Sequence, residues 1–183
     1  DGHHHLMPGM AVVLRLPELI GGAGAADKRQ FAVHQQQLAV IAIQIAQSWQ
    51  TIVSRNASPL ESVVLSVTQI HAGSATNVIP DDAQLVGTVR AFSNDMIDLV
   101  EQRMRAIATH TAAAFDAEID FEFRRNYPPL INHPVETAFA AEVLRSVVGE
   151  ERVNAQTEPT MGAEDFAFML QAKPGCYVFI GNG

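Results

Sequence analysis

Three groups of residues in this sequence are of types that do chemistry, and each has a plainer reading beside it. Asn77 stands in a turn rich in Gly, Ser, Asn, Pro and Asp, and Arg90 follows on the alternating stretch after it. A side-chain amide can hydrogen-bond a ligand, and a guanidinium grips a carboxylate through two parallel charge-assisted bonds. Equally, a turn Asn serves its own backbone and an exposed strand Arg is solvated. His3, His4 and His5 open the chain. Such a tract is the composition of a tag remnant or of a metal-binding run, and a neutral imidazole suits Zn, Mn, Ni or Co. One histidine is far short of a metal site, and His71, His110 and His133 are scattered without ligand spacing. Glu164 and Asp165 sit where a helix begins, where carboxylates are favoured with or without a ligand.

The elements that must position these residues follow from periodicity. Val63, Leu65 and Val67 alternate with polar residues, residues 72–82 are turn-rich, and alternation resumes at Leu85, Val86 and Val89, which predicts a long hairpin. Pro80 biases Ile79 toward extended geometry, and Arg90 falls on the strand face opposite Leu85, Gly87 and Val89. Leu38, Ile41, Ile45, Trp49 and Ile52 recur at helical spacing, predicting a helix to about Ser54 that ends before Pro59. Ser93 caps a second helix running to about Phe115, with Asp95 and Asp98 near its positive end. Ile119, Phe121 and Phe123 alternate with charges as a half-buried strand, and a short strand is expected at Phe31 and Val33. From Phe31 to Arg125 the order is strand, helix, strand, strand, helix, strand, the split βαβ order of a ferredoxin-like sandwich. Beyond Tyr127-Pro128-Pro129, a helix is expected over 134–148, ended by Gly149, and a buried sheet strand over Cys176 to Ile180.

Composition excludes several classes. With 12 basic against 20 acidic residues and a net charge of -8, neither a nucleic acid nor an anionic membrane surface is an expected partner. The most apolar stretch, Leu38 to Trp49, is too short to span a bilayer, and no signal peptide is read at the His-rich start. The single cysteine, Cys176, has apolar neighbours and reads as a small core residue; a bare thiol fits the cytoplasm.

Several of these words occur together and in order. GSATNVIPDDAQLVGTVR, QTIVSRNASPLESVVLSVTQIHAG, His5-Leu6-Met7-Pro8-Gly9 and Met161-Gly162-Ala163-Glu164-Asp165-Phe166 closely resemble the metal-dependent amidohydrolase (metallopeptidase) family of hippurate hydrolases, aminoacylases and auxin-conjugate hydrolases. The resemblance implies an α+β chain: a ferredoxin-like (βαββαβ) lid, or dimerisation, domain at 27–126, flanked by pieces of an α/β catalytic domain at 1–26 and 127–183. It implies His5 as a metal ligand, and Asn77, Arg90, Met161, Gly162 and Glu164 as substrate-binding residues. It implies a divalent metal (Zn, Mn, Ni or Co) in an intact parent, an N-acyl amino acid substrate and a homodimer formed through the lid. Where the family carries a lid histidine, this chain offers His34 or nothing. The family's early metal ligands and general base would lie upstream of residue 1 and its last histidine ligand beyond residue 183, so the chain reads as a fragment that holds metal weakly and does not turn over substrate. The alternatives are a non-catalytic dimerisation module and a free-standing ferredoxin-like domain that binds a small ligand.

Overall fold

The computed structural model describes residues 9–15, 38–78 and 80–181. The chain divides into two compact units, one ending at Asn126 and the other starting at Tyr127.

In the first unit the described elements are β1 (Gly9–Arg15), α1 (Leu38–Thr51), β2 (Val63–Ala72), β3 (Asp82–Ala91), α2 (Asn94–Ala113) and β4 (Glu118–Arg124). The strands form one antiparallel sheet in the order β2-β3-β1-β4, so β2 and β4 are its edges. Strand alternation sets what the sheet buries. Met10, Val12 and Leu14 lie opposite Gly87, Leu85 and Ala83 on one side and opposite Phe123, Phe121 and Ile119 on the other. That face meets Leu38, Ile41, Ile45 and Trp49 of α1 and Ile97, Val100 and Met104 of α2 in a single core. Trp49 is fully buried, and its indole N–H donates to the Met104 carbonyl at 3.0 Å, so the polar tip of the largest core residue is satisfied and ties α1 to α2.

Local chemistry ends each helix. Ser93 Oγ accepts from the Met96 N–H at 3.2 Å, capping α2 as its sequence predicts. The last turn of α1 widens into a five-residue π-helix, Ile52–Asn56, closed by the Ala57 N–H donating to the Ile52 carbonyl at 2.9 Å. In the hairpin, β2 bulges between Val67 and Gln69. Gly87 faces that bulge: a Cβ there would stand 2.3 Å from the Ser66 carbonyl oxygen and 2.4 Å from Met10 Cε.

One strand is not where the sequence put it. Residues 1–26 read as part of another domain and Phe31 to Val33 as the first strand, yet Gly9–Arg15 runs between β3 and β4. Its three inward side chains, Met10, Val12 and Leu14, are among the most buried in the chain, and this burial is what holds the segment in the sheet. Residues 31–33 lie outside the described residues.

The second unit holds α3 (Pro134–Val148), a 3-10 turn (Glu150–Arg152) and α4 (Phe166–Ala172). Pro134 opens α3 and Gly149, at φ 95°, closes it. The expected strand over Cys176 to Ile180 does not form: the segment is irregular, Cys176 is half-buried, and Ile180 is 88% exposed. A strand exists by pairing, and among the described residues no second strand runs beside this one. The predicted apolar side of α3 is likewise uncovered, with Val135, Phe139 and Val147 exposed and only Ala141 buried.

Candidate functional site

The hairpin fixes where its two candidate residues stand. Gly73, at φ 74°, starts the turn, and a Cβ there would meet the Pro80 ring at 3.8 Å, so the two ends of the loop oppose each other. Asn77 is exposed near the tip, just before Val78, whose N–H donates to Ala75. Arg90 pairs across from Val64 at the other end of β3 and lies on the face opposite buried Leu85 and Val89, as alternation requires. From Asp82 to Arg90 the strand covers roughly 26 Å at about 3.3 Å per residue. One copy of the unit does not bring the Asn77 amide and the Arg90 guanidinium together.

The other candidates divide between the second unit and the residues outside the description. His5 and His34 lie outside the described residues. Met161, Gly162 and Glu164 occupy the irregular run before α4; Gly162 is exposed, with open space where a Cβ would be, and Met161 and Glu164 are half-buried. Asp165, at the start of α4 as its sequence position suggests, makes no side-chain cap hydrogen bond. The Glu164 carbonyl accepts from the Ala167 N–H at 3.2 Å, anchoring the turn to the first residues of α4.

Tyr177 and Asn132 escaped sequence reasoning. Asn132 Nδ2 donates to the Tyr177 carbonyl and Asn132 Oδ1 accepts from the Tyr177 N–H, both at 2.8 Å, so one amide imitates a strand partner for one residue. Beside it, the His133 N–H donates to the Gly175 carbonyl at 3.1 Å and the Gly175 N–H donates to His133 Nδ1 at 3.3 Å. The Tyr177 ring lies 5.6 Å from Phe166 and meets Phe179 edge-on at 5.3 Å. Desolvation, and then the negative charge of Glu164, hold the Tyr177 phenol above its ordinary range. The sole signal available beforehand was that Asn132 and Tyr177 are polar residues among apolar ones.

Charge elsewhere is spent on local structure. Arg125 donates to Glu101 Oε2 at 2.6 Å and pairs with Asp98, and Arg105, 3.5 Å from Glu101, lies 4.4 Å over the Phe121 ring. Asp98, Glu101, Arg105 and Arg125 line an open groove along α2, where the guanidiniums already have carboxylate partners. Arg124, at 2.7 Å, lowers the Glu122 pKa through its hydrogen bond. His71 bonds to Gln69 at 3.0 Å. Among the described residues no three His, Cys, Asp or Glu side chains come together to hold a metal ion, so these residues by themselves do not fit a metal centre. Nor is any helix among them long and apolar enough to cross a membrane.

The architecture is that of an α+β protein: a four-stranded antiparallel sheet backed by two helices, followed by a helical unit whose turns carry the remaining polar candidates. Comparison with known proteins narrows this. The profile described as peptidase family M20/M25/M40 matches residues 18–183. Hippurate hydrolase of Campylobacter jejuni is 34% identical over 163 residues, covering 88% of this chain and 41% of that protein. N-acetyl-L-cysteine deacetylase of Bacillus subtilis is 35% identical over 142 residues, covering 77% of this chain and 33% of that protein. The crystal structure of the Bacillus subtilis YxeP protein, described as a dinuclear metal binding peptidase from the M20 family, superimposes with a TM-score of 0.66 at 27% identity, covering 92% of this chain and 38% of that one. The chain belongs to peptidase family M20/M25/M40. It spans less than half the length of each of these relatives.

Proposed function

We propose that this chain is the lid domain and part of the catalytic domain of a cytoplasmic, metal-dependent amidohydrolase that cleaves the amide bond of N-acyl amino acids of the hippurate type. The names of its relatives support the reaction class: one is a hippurate hydrolase and one an N-acetyl-L-cysteine deacetylase, both of which act on acylated amino acids. The strand-helix-strand-strand-helix-strand order and the β2-β3-β1-β4 sheet support a ferredoxin-like lid. The exposed apolar stripe of α3 is what a helix would show when the rest of its domain's core lies elsewhere. A divalent metal, Zn, Mn, Ni or Co, belongs to the intact enzyme in this reading, with His5 among its ligands; it would supply an activated water.

The observation that carries the reading is the hairpin register. Arg90 stands opposite Val64 at the open end of the hairpin and Asn77 at the closed end. Two copies joined antiparallel through edge strand β2 would bring the Asn77 of one to the end that carries the Arg90 of the other. In such a homodimer an amide and a guanidinium from different lids would address one substrate, the guanidinium taking its carboxylate and the amide its carbonyl. Met161, Gly162 and Glu164 would line the same cleft from the catalytic side.

Sedimentation of the purified 183-residue chain tests the pairing: a dimer is expected, and a monomer at high concentration would remove the argument for a shared cleft. Hippurate hydrolysis tests the rest: none is expected from this chain alone, and release of glycine by it would overturn the fragment reading. A second reading, a non-catalytic dimerisation module, rests on the same open β2 edge. It predicts the dimer and no hydrolysis even when the coding sequence is extended at both ends.

A further inference from the structure

Strand alternation decides which main-chain groups of the edge strand β4 face outward. Thr68 Oγ1 on β2 donates to the Val86 carbonyl at 3.3 Å, so Val86 turns toward β2. Its neighbour Leu85 then turns toward β1, and Val12, opposite Leu85, turns toward β3. Phe121, opposite Val12 on the other side, is left with its N–H and carbonyl pointing away from the sheet, the groups on which a further strand could be built.

That outward acceptor is already taken. Arg105, on α2, donates from Nη1 to the Phe121 carbonyl at 3.4 Å, and its guanidinium lies 4.4 Å over the Phe121 ring. Glu101, one turn earlier, sits 3.5 Å from Arg105 Nη2 and accepts from Arg125 Nη2 at 2.6 Å, while Asp98 takes the other arm of Arg125. The four side chains form a strap from α2 across the flank of the sheet. A second β4 laid antiparallel about Asp120 would need the Phe121 carbonyl for the N–H of its own Ile119.

We propose that Arg105 guards this edge: by holding the Phe121 carbonyl and covering its ring, it keeps the β4 of a second copy of this chain from pairing with this one. The guard acts on the main chain, and so independently of the carboxylates that β4 presents to solvent.

The experiment uses the full 183-residue chain with Cys176→Ser, which removes its one cysteine, and Asp120→Cys. Residues directly opposite in a non-hydrogen-bonded antiparallel pair have Cα atoms about 4.5 Å apart, within disulfide reach, so the introduced thiols report β4–β4 pairing. Disulfide-linked pairs formed with diamide are measured with and without Arg105→Ala, which removes both contacts and suits a helix. Gln47→Cys in place of Asp120→Cys measures linking by collision, and Trp49 emission in urea follows the fold of the first unit. Arg105→Ala is expected to raise linking at position 120 by roughly threefold to tenfold, the worth of one hydrogen bond, and to leave position 47 unchanged. Arg105→Lys, which keeps the charge but loses the planar fork, should fall between, and it replaces Arg105→Ala if the alanine lowers the urea midpoint. Equal linking at position 120 with and without the arginine overturns the proposal. So does an equal rise at both positions, which reports a loosened fold instead of an opened edge.

Discussion

Replacing Gly87 by Ala probes the tightest approach in the first unit. The added Cβ would lie 2.3 Å from the Ser66 carbonyl oxygen, 3.2 Å from the Ser66 carbonyl carbon and 2.4 Å from Met10 Cε. The methionine end is flexible and can retract, but Ser66 is backbone, pinned in the β2–β3 ladder opposite Thr88 beside the bulge. Relief therefore requires moving the strand by about 1 Å, and overpacking of this kind costs about 1–3 kcal/mol. Alanine recovers roughly 0.5–1 kcal/mol because it loses less backbone freedom than glycine in a strand. The net is a loss of about 1–2 kcal/mol. Trp49 is the single tryptophan and is buried in the same core, so its emission follows this unit alone. At a urea dependence of about 1–3 kcal/mol per molar, the midpoint should fall by roughly 1 M with an unchanged slope. An unmoved midpoint would mean that the bulge yields freely, and the account of Gly87 as a steric requirement would be refuted.

Three further outcomes are expected. Ser93→Ala removes the Oγ acceptor from the Met96 N–H at the start of α2 and should cost about 1 kcal/mol by the same Trp49 readout. Asn132→Asp keeps the acceptor for the Tyr177 N–H but turns a carboxylate oxygen toward the Tyr177 carbonyl; hydrogen exchange across residues 175–177 should accelerate while the first unit stays unchanged. Because the Tyr177 phenol is raised in the folded state, its contribution to stability is complete below the ordinary tyrosine value near 10 and is lost as pH rises through the folded value. Tyr177→Phe has no phenol to ionise, so the loss of exchange protection of the second unit as pH rises beyond about 10, expected in the wild-type chain, should be absent in it; the same loss in both would refute the assignment.

Much of the first unit was legible because its signals are local. The Ser93 cap, the α1 stripe from Leu38 to Trp49 and the alternation of β4 each sit within a few residues and reappear as α2, α1 and β4. The β1 strand was harder. Ala11 and Val13 are apolar as well, so Met10-Ala11-Val12-Val13-Leu14 shows no clean period of two, and only its neighbours on both sides reveal which face is buried. Cys176 to Ile180 failed for the converse reason, since an apolar run reads as a strand whether or not a partner exists. The bulge had one overlooked signal, a glycine inside a strand pattern, which marks a close backbone approach. The Asn132–Tyr177 pair joins residues 45 positions apart and has no local signature at all. For the candidate site, the sequence singles out Asn77 and Arg90 by the words around them, but their placement at opposite ends of the hairpin follows only from strand register.

The two borders of the sheet are chemically unequal. β2, from Val63 to Ala72, contains no Asp, Glu, Lys or Arg, whereas β4 presents exposed Glu118, Asp120 and Glu122. Two β4 strands laid antiparallel about Asp120 would set Glu118 against Glu122 and Asp120 against itself, and like charges directly opposite repel. In that register edge addition is disfavoured at β4, whereas β2 brings no side-chain charge of its own. A pairing begun at β2 would carry β4 on both of its outer flanks, where that repulsion opposes a further strand in this register.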